Sequence, residues 1–393
     1  ARPLRGPFRR SAAVIRIRPF PNRRTLPPAG IPGLRGPGRV RPLMGLAPVV
    51  VLAAIASVAA AETVRHEPAR VFDGERMRPG WIVVVDDDRI AYAGAPEGHA
   101  GSVDRSEPHP GATLLPGLIE GHSHVLLHPY DETPWNDQVL KEPEAERVAR
   151  AVGHLRASLA AGVTTMRDLG SEGAGYADVA LRDAIRKGVI PGPRLLVAGR
   201  AVVATGSDGP GGFHERVTVP LGAEPADGHD DLIRVVRDQI GRGIDVVKVY
   251  ADYRWGPEGE ARPTFTQAEL DTIVEVARSS GRPVVAHAAT AEGMRRAVRA
   301  GVETIEHGDG GTPEVWALLR ERGVALCPTL AAGLAISRYG GWRPGMAPDP
   351  PRVAQKKRSF RQALEVQNHY FRELYIENIV ATERSKERMA AYR

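Results

Sequence analysis

The chain has almost no cysteine, because Cys327 is the single one among 393 residues. One thiol cannot form an intramolecular disulfide, and it cannot supply the several sulfur ligands of a cysteine-based zinc site. Both kinds of cross-link are therefore excluded for the isolated chain.

Acidic residues are absent from the first 61 positions, which also lack lysine but contain eleven arginines. The formal charge of the whole chain is +6, a value that would ordinarily suggest an anionic partner. The remaining residues, however, carry 42 basic and 47 acidic side chains. The excess positive charge belongs to the N-terminal segment, so we expect no nucleic-acid partner.

This N-terminal segment has two parts with different compositions. Residues 1–43 are rich in Pro and Gly and have no apolar periodicity, which predicts a disordered extension. Residues 44–61 are small and apolar and end in three alanines, which predicts a cleaved signal peptide and hence a periplasmic or extracellular location. The alternative is a membrane anchor, since residues 43–61 give 19 uncharged positions, close to the number needed to span a bilayer. Membrane contact is expected only if this segment is not cleaved.

Residues 62–111 contain strand-like runs that are broken by Asp-Gly, Pro-Gly and Ala-Gly turns, with no convincing helix. This pattern predicts a small β-domain, which we interpret as a β-sandwich.

From residue 112 to 349 the pattern changes to alternating strands and helices. The strands are expected at 113–119, 163–167, 194–198, 244–250, 283–287, 302–306 and 323–327. The helices are expected at 145–160, 177–187, 230–240, 266–279, 291–300 and 313–322. A series of this kind is typical of an α/β protein with a (β/α)8 barrel of the TIM type. Here the barrel would be incomplete at its C-terminal end, where residues 350–393 are charged, divergent and compatible with a helix throughout.

Four histidines and one lysine lie at or near the ends of predicted strands, where active-site groups of such barrels are found. They are His122, His124, Lys248, His287 and His307. The first two are separated by one residue, so both rings can face one ion from an extended chain. A single histidine at such a position is more often a hydrogen-bonded structural residue, and the lysine alone could pair with Asp245 or Asp252. The coincidence of all five favours a metal site.

Several motifs together resemble the metal-dependent amidohydrolase superfamily, in its branch of Xaa-Pro dipeptidase-like and imidazolonepropionase-like enzymes. The similarity covers residues 64 to 365 and rests on VFDGERMRPGWIVVVDDDRIAYAG, LLPGLIEGHSH, AGVTTMRDLG, DVVKVYADY, VVAHAAT, IEHGDGG and CPTL.

The resemblance implies two divalent metal ions, of which zinc suits the ligands best. His122 and His124 would bind one ion and His287 and His307 the other. Lys248 would be carboxylated, and its carbamate would bridge both ions as the catalytic centre. Mononuclear deaminases of the superfamily lack a lysine at this position. The implied reaction is hydrolysis of an amide or peptide bond by metal-bound hydroxide, with a dipeptide or an N-acyl amino acid as substrate.

Substrate-binding residues are sought in the loops that follow the third and fourth strands of the barrel. Tyr250, Tyr253 and Arg254 would bind the substrate carbonyl or a terminal carboxylate, although packing within a lid explains them equally well. The expected partner is thus a small-molecule or dipeptide substrate. Association of the chain into a homo-oligomer is a further possibility that the sequence leaves open.

The family also has an aspartate at the end of strand 8 that ligates a metal and moves a proton. This sequence has no Asp after Asp349 and no Gly after Gly345. Three explanations stay open: a truncated or frame-shifted coding sequence, a non-catalytic metal-binding relative, or replacement by Glu377 or Asp309.

Overall fold

The computed structural model describes residues 62–339, 341 and 348–367 of the chain. The expected disordered extension, the signal peptide and Glu377 lie outside these residues, so their interpretation stays a prediction. Within the described part, no helix combines the length and the apolar character that crossing a membrane requires.

The N-terminal part forms one five-stranded sheet. Its strands are β1 Thr63–Phe72, β2 Met77–Pro79, β3 Ile82–Asp86, β4 Arg89–Gly94 and β5 Arg105–Leu114. Strands β2, β1, β3 and β4 are antiparallel neighbours in that order, and β5 pairs with β1 in parallel. The expected β-rich segment is therefore present as a single sheet in the described residues, and the two-sheet sandwich stays a prediction.

The strand expected at 113–119 is divided between two sheets. Residues Thr113 and Leu114 still pair with β1, whereas the next strand begins only at Leu118. Pro116 lies between them and has no N–H to donate to a strand ladder. The change from the N-terminal sheet to the α/β part therefore takes place at this proline.

The α/β part contains strands that pair in parallel, in chain order except that β10 lies outside β9. These strands are β6 Leu118–Ser123, β7 Val163–Asp168, β8 Arg194–Val197, β9 Val202–Val203, β10 Glu224–Pro225, β11 Val247–Tyr250, β14 Val284–Ala288, β15 Thr304–His307 and β16 Ala325–Cys327. A short antiparallel hairpin follows β11 and consists of β12 Asp252–Arg254 and β13 Ala261–Pro263. The order is β6-β7-β8 in one sheet and β10-β9-β11-β14-β15-β16 in another.

Helices separate most of these strands, as the sequence predicts. They are α1 Trp135–Lys141, α2 Glu144–Ala160, α3 Ala177–Arg186, α4 Gly228–Gly241, α5 Gln267–Ser279, α6 Ala291–Ala300, α7 Pro313–Arg322, α8 Leu330–Tyr339 and α9 Pro351–Gln367. The capping box that marks α5 is formed, because Thr266 accepts from the Glu269 amide and the Glu269 carboxylate accepts from the Thr266 amide.

The two parallel sheets are joined at the edge of β8. The amides of Asp245 and Val246, just before β11, donate to the carbonyl of Val197 at distances of 2.8 and 3.3 Å. Leu169, Ala198, Val246 and Val285, contributed by four neighbouring strand segments, form a buried cluster. This arrangement of parallel strands with helices packed against them is of the TIM-barrel type, and a fully closed barrel stays a prediction.

Candidate metal centre

The five predicted metal ligands come from four strands of the two parallel sheets. His122 lies in β6 and His124 directly follows it, while Lys248, His287 and His307 lie in β11, β14 and β15. Adjacent parallel strands hold the last three in register, since Tyr250 is opposite His287 and Ala288 is opposite His307. The strand order thus determines which ligands are neighbours.

The four imidazole rings converge although they are distant in sequence. Ring centroids are 5.2 Å apart for His122 and His124, 5.0 Å for His122 and His307, and 4.5 Å for His287 and His307. His122 of β6 thus contacts both Glu306 and His307 of β15, which belongs to the other sheet. The structure therefore brings all four predicted histidines together.

The two histidines of the HSH motif direct their Nε2 atoms at each other, at a distance of 3.3 Å. His124 Nδ1 lies 3.0 Å from the carbonyl oxygen of Gly170, and a carbonyl can only accept, so this Nδ1 donates. His122 Nδ1 lies 2.8 Å from a carboxylate oxygen of Glu306 and donates to it. With both Nδ1 hydrogens engaged, the facing Nε2 atoms need a cation between them, either a shared proton or a metal ion.

The distance between these atoms fits a metal ion. Two nitrogens bound at 2.0–2.1 Å to a tetrahedral zinc are about 3.4 Å apart. A carboxylate and a backbone carbonyl that accept from the other ring nitrogen are the usual outer partners of metal-bound histidines. His122 and His124 thus have both the spacing and the orientation of ligands to one ion.

Glu306 is a site residue that the sequence analysis missed. Its carboxylate is fully buried and accepts from His122 Nδ1 through one oxygen and from Arg167 through the other, each at 2.8 Å. Burial acts to raise the pKa of this carboxyl, but the hydrogen bond from His122 and the charge of Lys248 lower it to about 2. The sequence did contain a signal for Glu306, namely an acid near the end of the predicted buried strand VETIEH. A buried charge requires charged or hydrogen-bonding partners, so such an acid indicates a polar site.

His122, Glu306 and Cys327 also form a compact group of ligand-type atoms. We interpret this group as hydrogen-bonded, because His122 uses Nδ1 for the carboxylate and turns Nε2 toward His124. Burial raises the pKa of the Cys327 thiol to about 12, which opposes the thiolate that a metal would need.

Lys248 is almost completely buried, with 1% of its surface exposed. Its ammonium lies 5.6 Å from the ring centre of Tyr250, and burial lowers its pKa to about 8. The two acids that might have paired with it are occupied elsewhere. Asp245 binds Arg182, and Asp252 accepts from the amides of Ala289 and Thr290. Lys248 therefore pairs with neither of these two acids.

The backbone is strained at His307, whose φ is 76°, in the left-handed region. Its Nδ1 lies 2.8 Å from the hydroxyl of Thr329, which itself has a φ of 47° and is β-branched. Such conformations cost about 1–3 kcal/mol each and concentrate at functional sites. The glycines that follow leave no space for side chains, since a Cβ at Gly311 would overlap the indole of buried Trp316. The glycines of IEHGDGG therefore set the chain path that turns His307.

The predicted substrate-binding residues lie on one side of this centre. The Tyr250 ring stacks on His287 with centroids 4.9 Å apart, and Tyr253 contacts both rings. The Tyr250 hydroxyl donates to Glu172, another acid that the sequence analysis missed, at 3.3 Å. Arg254 is exposed and lies 6.0 Å from the Tyr253 ring. The two tyrosines thus lie against a predicted ligand, whereas Arg254 is more distant.

Comparison with known proteins decides the family. The sequence profile of the Amidohydrolase family matches residues 113–364. The chain belongs to the amidohydrolase family. The resemblance noted from the sequence motifs is thereby confirmed.

Relatives of this amidohydrolase include ochratoxinase from Aspergillus niger, 31% identical over 281 residues that make up 65% of this chain and 56% of the relative. Imidazolonepropionase from Rhizorhabdus wittichii is 29% identical over 254 residues, which are 58% of this chain and 59% of the relative. The chain thus spans little more than half the length of these curated relatives. A solved Xaa-Pro dipeptidase with methionine bound in its active site is similar with a TM-score of 0.66 and 26% identity, over 77% of each chain.

Asp309 is one of the two acids that the sequence analysis considered as replacements for the strand-8 aspartate of the family. The carboxylate of Asp309 pairs with the ammonium of Lys356 on α9, and its carbonyl accepts from Ser359. Lys356 also lies 3.3 Å from the Thr329 hydroxyl that bonds His307. Asp309 therefore serves to attach α9 beside the centre, and its role as a metal ligand stays a prediction.

The metal-free amidohydrolase should lose stability as the pH falls below about 6.5, the ordinary pKa of histidine. Burial and the charge of Lys248 lower the pKa of His122 to about 3, and burial holds the pKa values of His287 and His307 well below the ordinary value. These rings bind protons more readily in the unfolded chain, so acid favours unfolding. Each ring should reduce the unfolding free energy by about 1.3 kcal/mol between about pH 7 and about pH 5.5.

Urea unfolding of the chelator-treated chain at these two pH values measures this loss. The His287→Asn variant should lose about 1.3 kcal/mol less than the unmodified chain, because one titrating ring is gone. Carboxyl groups that titrate in the same pH range contribute equally to the loss in both chains, so their contribution cancels in the difference. Asp178, whose pKa burial raises to about 6, is one of them. An equal loss in the two chains would contradict the prediction.

Proposed function

We propose that this chain is a metal-dependent hydrolase that cleaves an amide or peptide carbon–nitrogen bond in a dipeptide or an N-acyl amino acid. The observation that carries the proposal is the pair of Nε2 atoms of His122 and His124, which face each other while both Nδ1 atoms are engaged. Such a pair requires a cation, and its spacing suits zinc.

Two divalent ions are proposed for the centre. His122 and His124 would hold one ion, and His287 and His307 the other. Lys248 would bridge both as a carbamate, which accounts for a buried lysine whose pKa burial lowers toward the neutral amine. When bound, such ions supply an activated water and polarise the substrate carbonyl.

The surrounding residues of the chain orient these ligands. Glu306 and the Gly170 carbonyl determine which nitrogen each ring of the HSH motif turns inward. Thr329 does the same for His307 through Nδ1. Arg167 binds the second oxygen of Glu306 and so maintains its negative charge.

The substrate class is proposed from the relatives and from the tyrosines. An Xaa-Pro dipeptidase and an ochratoxinase are both similar to this chain. Tyr250 and Tyr253, which lie against His287, would pack on the acyl part of the substrate, with the Tyr253 hydroxyl as a polar contact.

Metal analysis beside a hydrolysis assay tests the proposal. The purified chain, loaded with zinc, should hydrolyse at least one member of a panel of Xaa-Pro dipeptides, other dipeptides and ochratoxin. Chelation should abolish the activity, and zinc should restore it. Metal binding without turnover of any panel member would favour the alternative, a non-enzymatic metal-binding relative.

A further inference from the structure

A second group of metal-type ligands lies on the N-terminal sheet and contains none of the residues of the metal centre. His66 is on β1, and Glu107 and His109 are on β5. These strands are parallel neighbours in which His66 is opposite Glu107. His109 is two residues further along β5, so its side chain projects from the same face as that of Glu107. Strand pairing therefore assembles the group.

The three ligand atoms have a geometry suited to one ion. His66 Nδ1 is 3.1 Å from His109 Nε2. Glu107 Oε2 is 3.2 Å from His66 Nδ1 and 3.7 Å from His109 Nε2. A point equidistant from the three atoms lies about 1.9 Å from each. Zinc bonds to histidine nitrogen and carboxylate oxygen are 2.0–2.2 Å long, so an ion slightly out of their plane reaches all three.

The charges around the group favour the ligand forms of these side chains. Arg105 pairs with Oε1 of Glu107 and with Glu62, which leaves Oε2 directed at the two rings. Burial and the charges of His109 and Arg105 lower the pKa of His66, so its ring is neutral at about pH 7, as a metal requires.

The group is open to solvent. The side chains of His66, Glu107 and His109 are 26%, 33% and 41% exposed, respectively. An ion can therefore enter, and water can fill the remaining coordination position.

We propose that His66, Glu107 and His109 bind one divalent transition-metal ion of the zinc type, separate from the ions of the hydrolytic centre. Two imidazoles and one carboxylate suit zinc better than calcium or magnesium, which prefer oxygen ligands. The bound ion links β1 to β5, and β5 leads within a few residues into β6, which carries His122. The proposal does not depend on the proposed hydrolytic function.

Zinc binding by the full chain tests the inference. The chain and its His66→Asn/His109→Asn variant are dialysed against buffered zinc, and metal per chain is measured by emission spectroscopy. The variant should bind one equivalent less than the unmodified chain. The matched control is His99→Asn, which alters another partly buried histidine of the same segment and should bind as much as the unmodified chain. Equal zinc contents in the double variant and the control would overturn the proposal.

Two further measurements separate loss of the proposed site from general damage to the chain. Hydrolytic activity of the double variant should equal that of the control, because no ligand of the other centre is changed. Crystals of the unmodified zinc-loaded chain should show an anomalous peak about 2.0–2.2 Å from the three ligand atoms, a result that needs no variant to fold. A peak at the hydrolytic centre with none between β1 and β5 would also overturn the proposal.

Discussion

The Lys248→Ala variant should lose the second metal ion and reduce kcat/KM on the order of 1000-fold, equivalent to about 4 kcal/mol of transition-state stabilisation. The alanine removes the nitrogen on which the proposed bridging carbamate forms. It also removes a buried amine that forms no hydrogen bond or ion pair within the described residues. The loss should therefore appear in metal content and activity rather than in folding.

The exposed Lys187→Ala variant is the matched control, since it removes a lysine far from any predicted ligand in sequence. Reconstitution provides a second readout. Zinc added to the metal-free chain should restore more activity with bicarbonate present, because carbamate formation consumes carbon dioxide, and the Lys248→Ala variant should show no such dependence. Full activity of Lys248→Ala would contradict the proposed bridge.

The Glu306→Gln variant should weaken metal binding by roughly 10- to 100-fold, the usual effect of removing an outer partner of a metal-bound histidine. The neutral amide no longer fixes His122 with Nδ1 as the donor. It also leaves the partly buried Arg167, which is 19% exposed, without its anionic partner, and this should destabilise the metal-free chain by roughly 1–3 kcal/mol. Chelator competition measures the affinity, and urea unfolding measures the stability.

Glu303→Gln is the control for this change, because Glu303 is exposed and lies three residues earlier in the same segment. This variant should change neither the metal affinity nor the free energy of unfolding appreciably. The contribution of Glu306 to the stability of the metal-free chain should decline with acid, because its folded-state pKa of about 2 lies below that of an unfolded glutamate. That contribution is present above about pH 4.5 and disappears as the pH falls toward 2. Unchanged zinc affinity in Glu306→Gln would contradict the assigned role.

Much of the α/β part could be predicted because its signals are local. Helix periodicity and caps gave α5, α6 and α7 to within one residue of their observed bounds. The convergence of His287 and His307 followed from the rule that parallel strands place their carboxyl ends at one edge. These features depend on neighbouring residues and on general topology alone.

The features that were missed depend on distant contacts or on position within a sheet. Strand β5 contains Pro108 and Pro110, which argue against a strand, but its described partner is β1 alone, and prolines are tolerated at such an edge. The role of Glu306 depends on its hydrogen bonds with His122 and Arg167, which lie on other strands. Sequence spacing cannot show which distant side chains a buried acid will meet.

The bond between His122 and Glu306 also bears on the order of events during folding. It joins residues 184 positions apart, and contacts of such separation form slowly because the entropy cost of closing a long loop precedes the gain from the contact. A nascent chain that has not yet added β15 lacks Glu306 and His307 together. At the proposed metal centre, ion binding would therefore require a chain that already includes β15, and the content of bound metal would distinguish such molecules from shorter nascent ones.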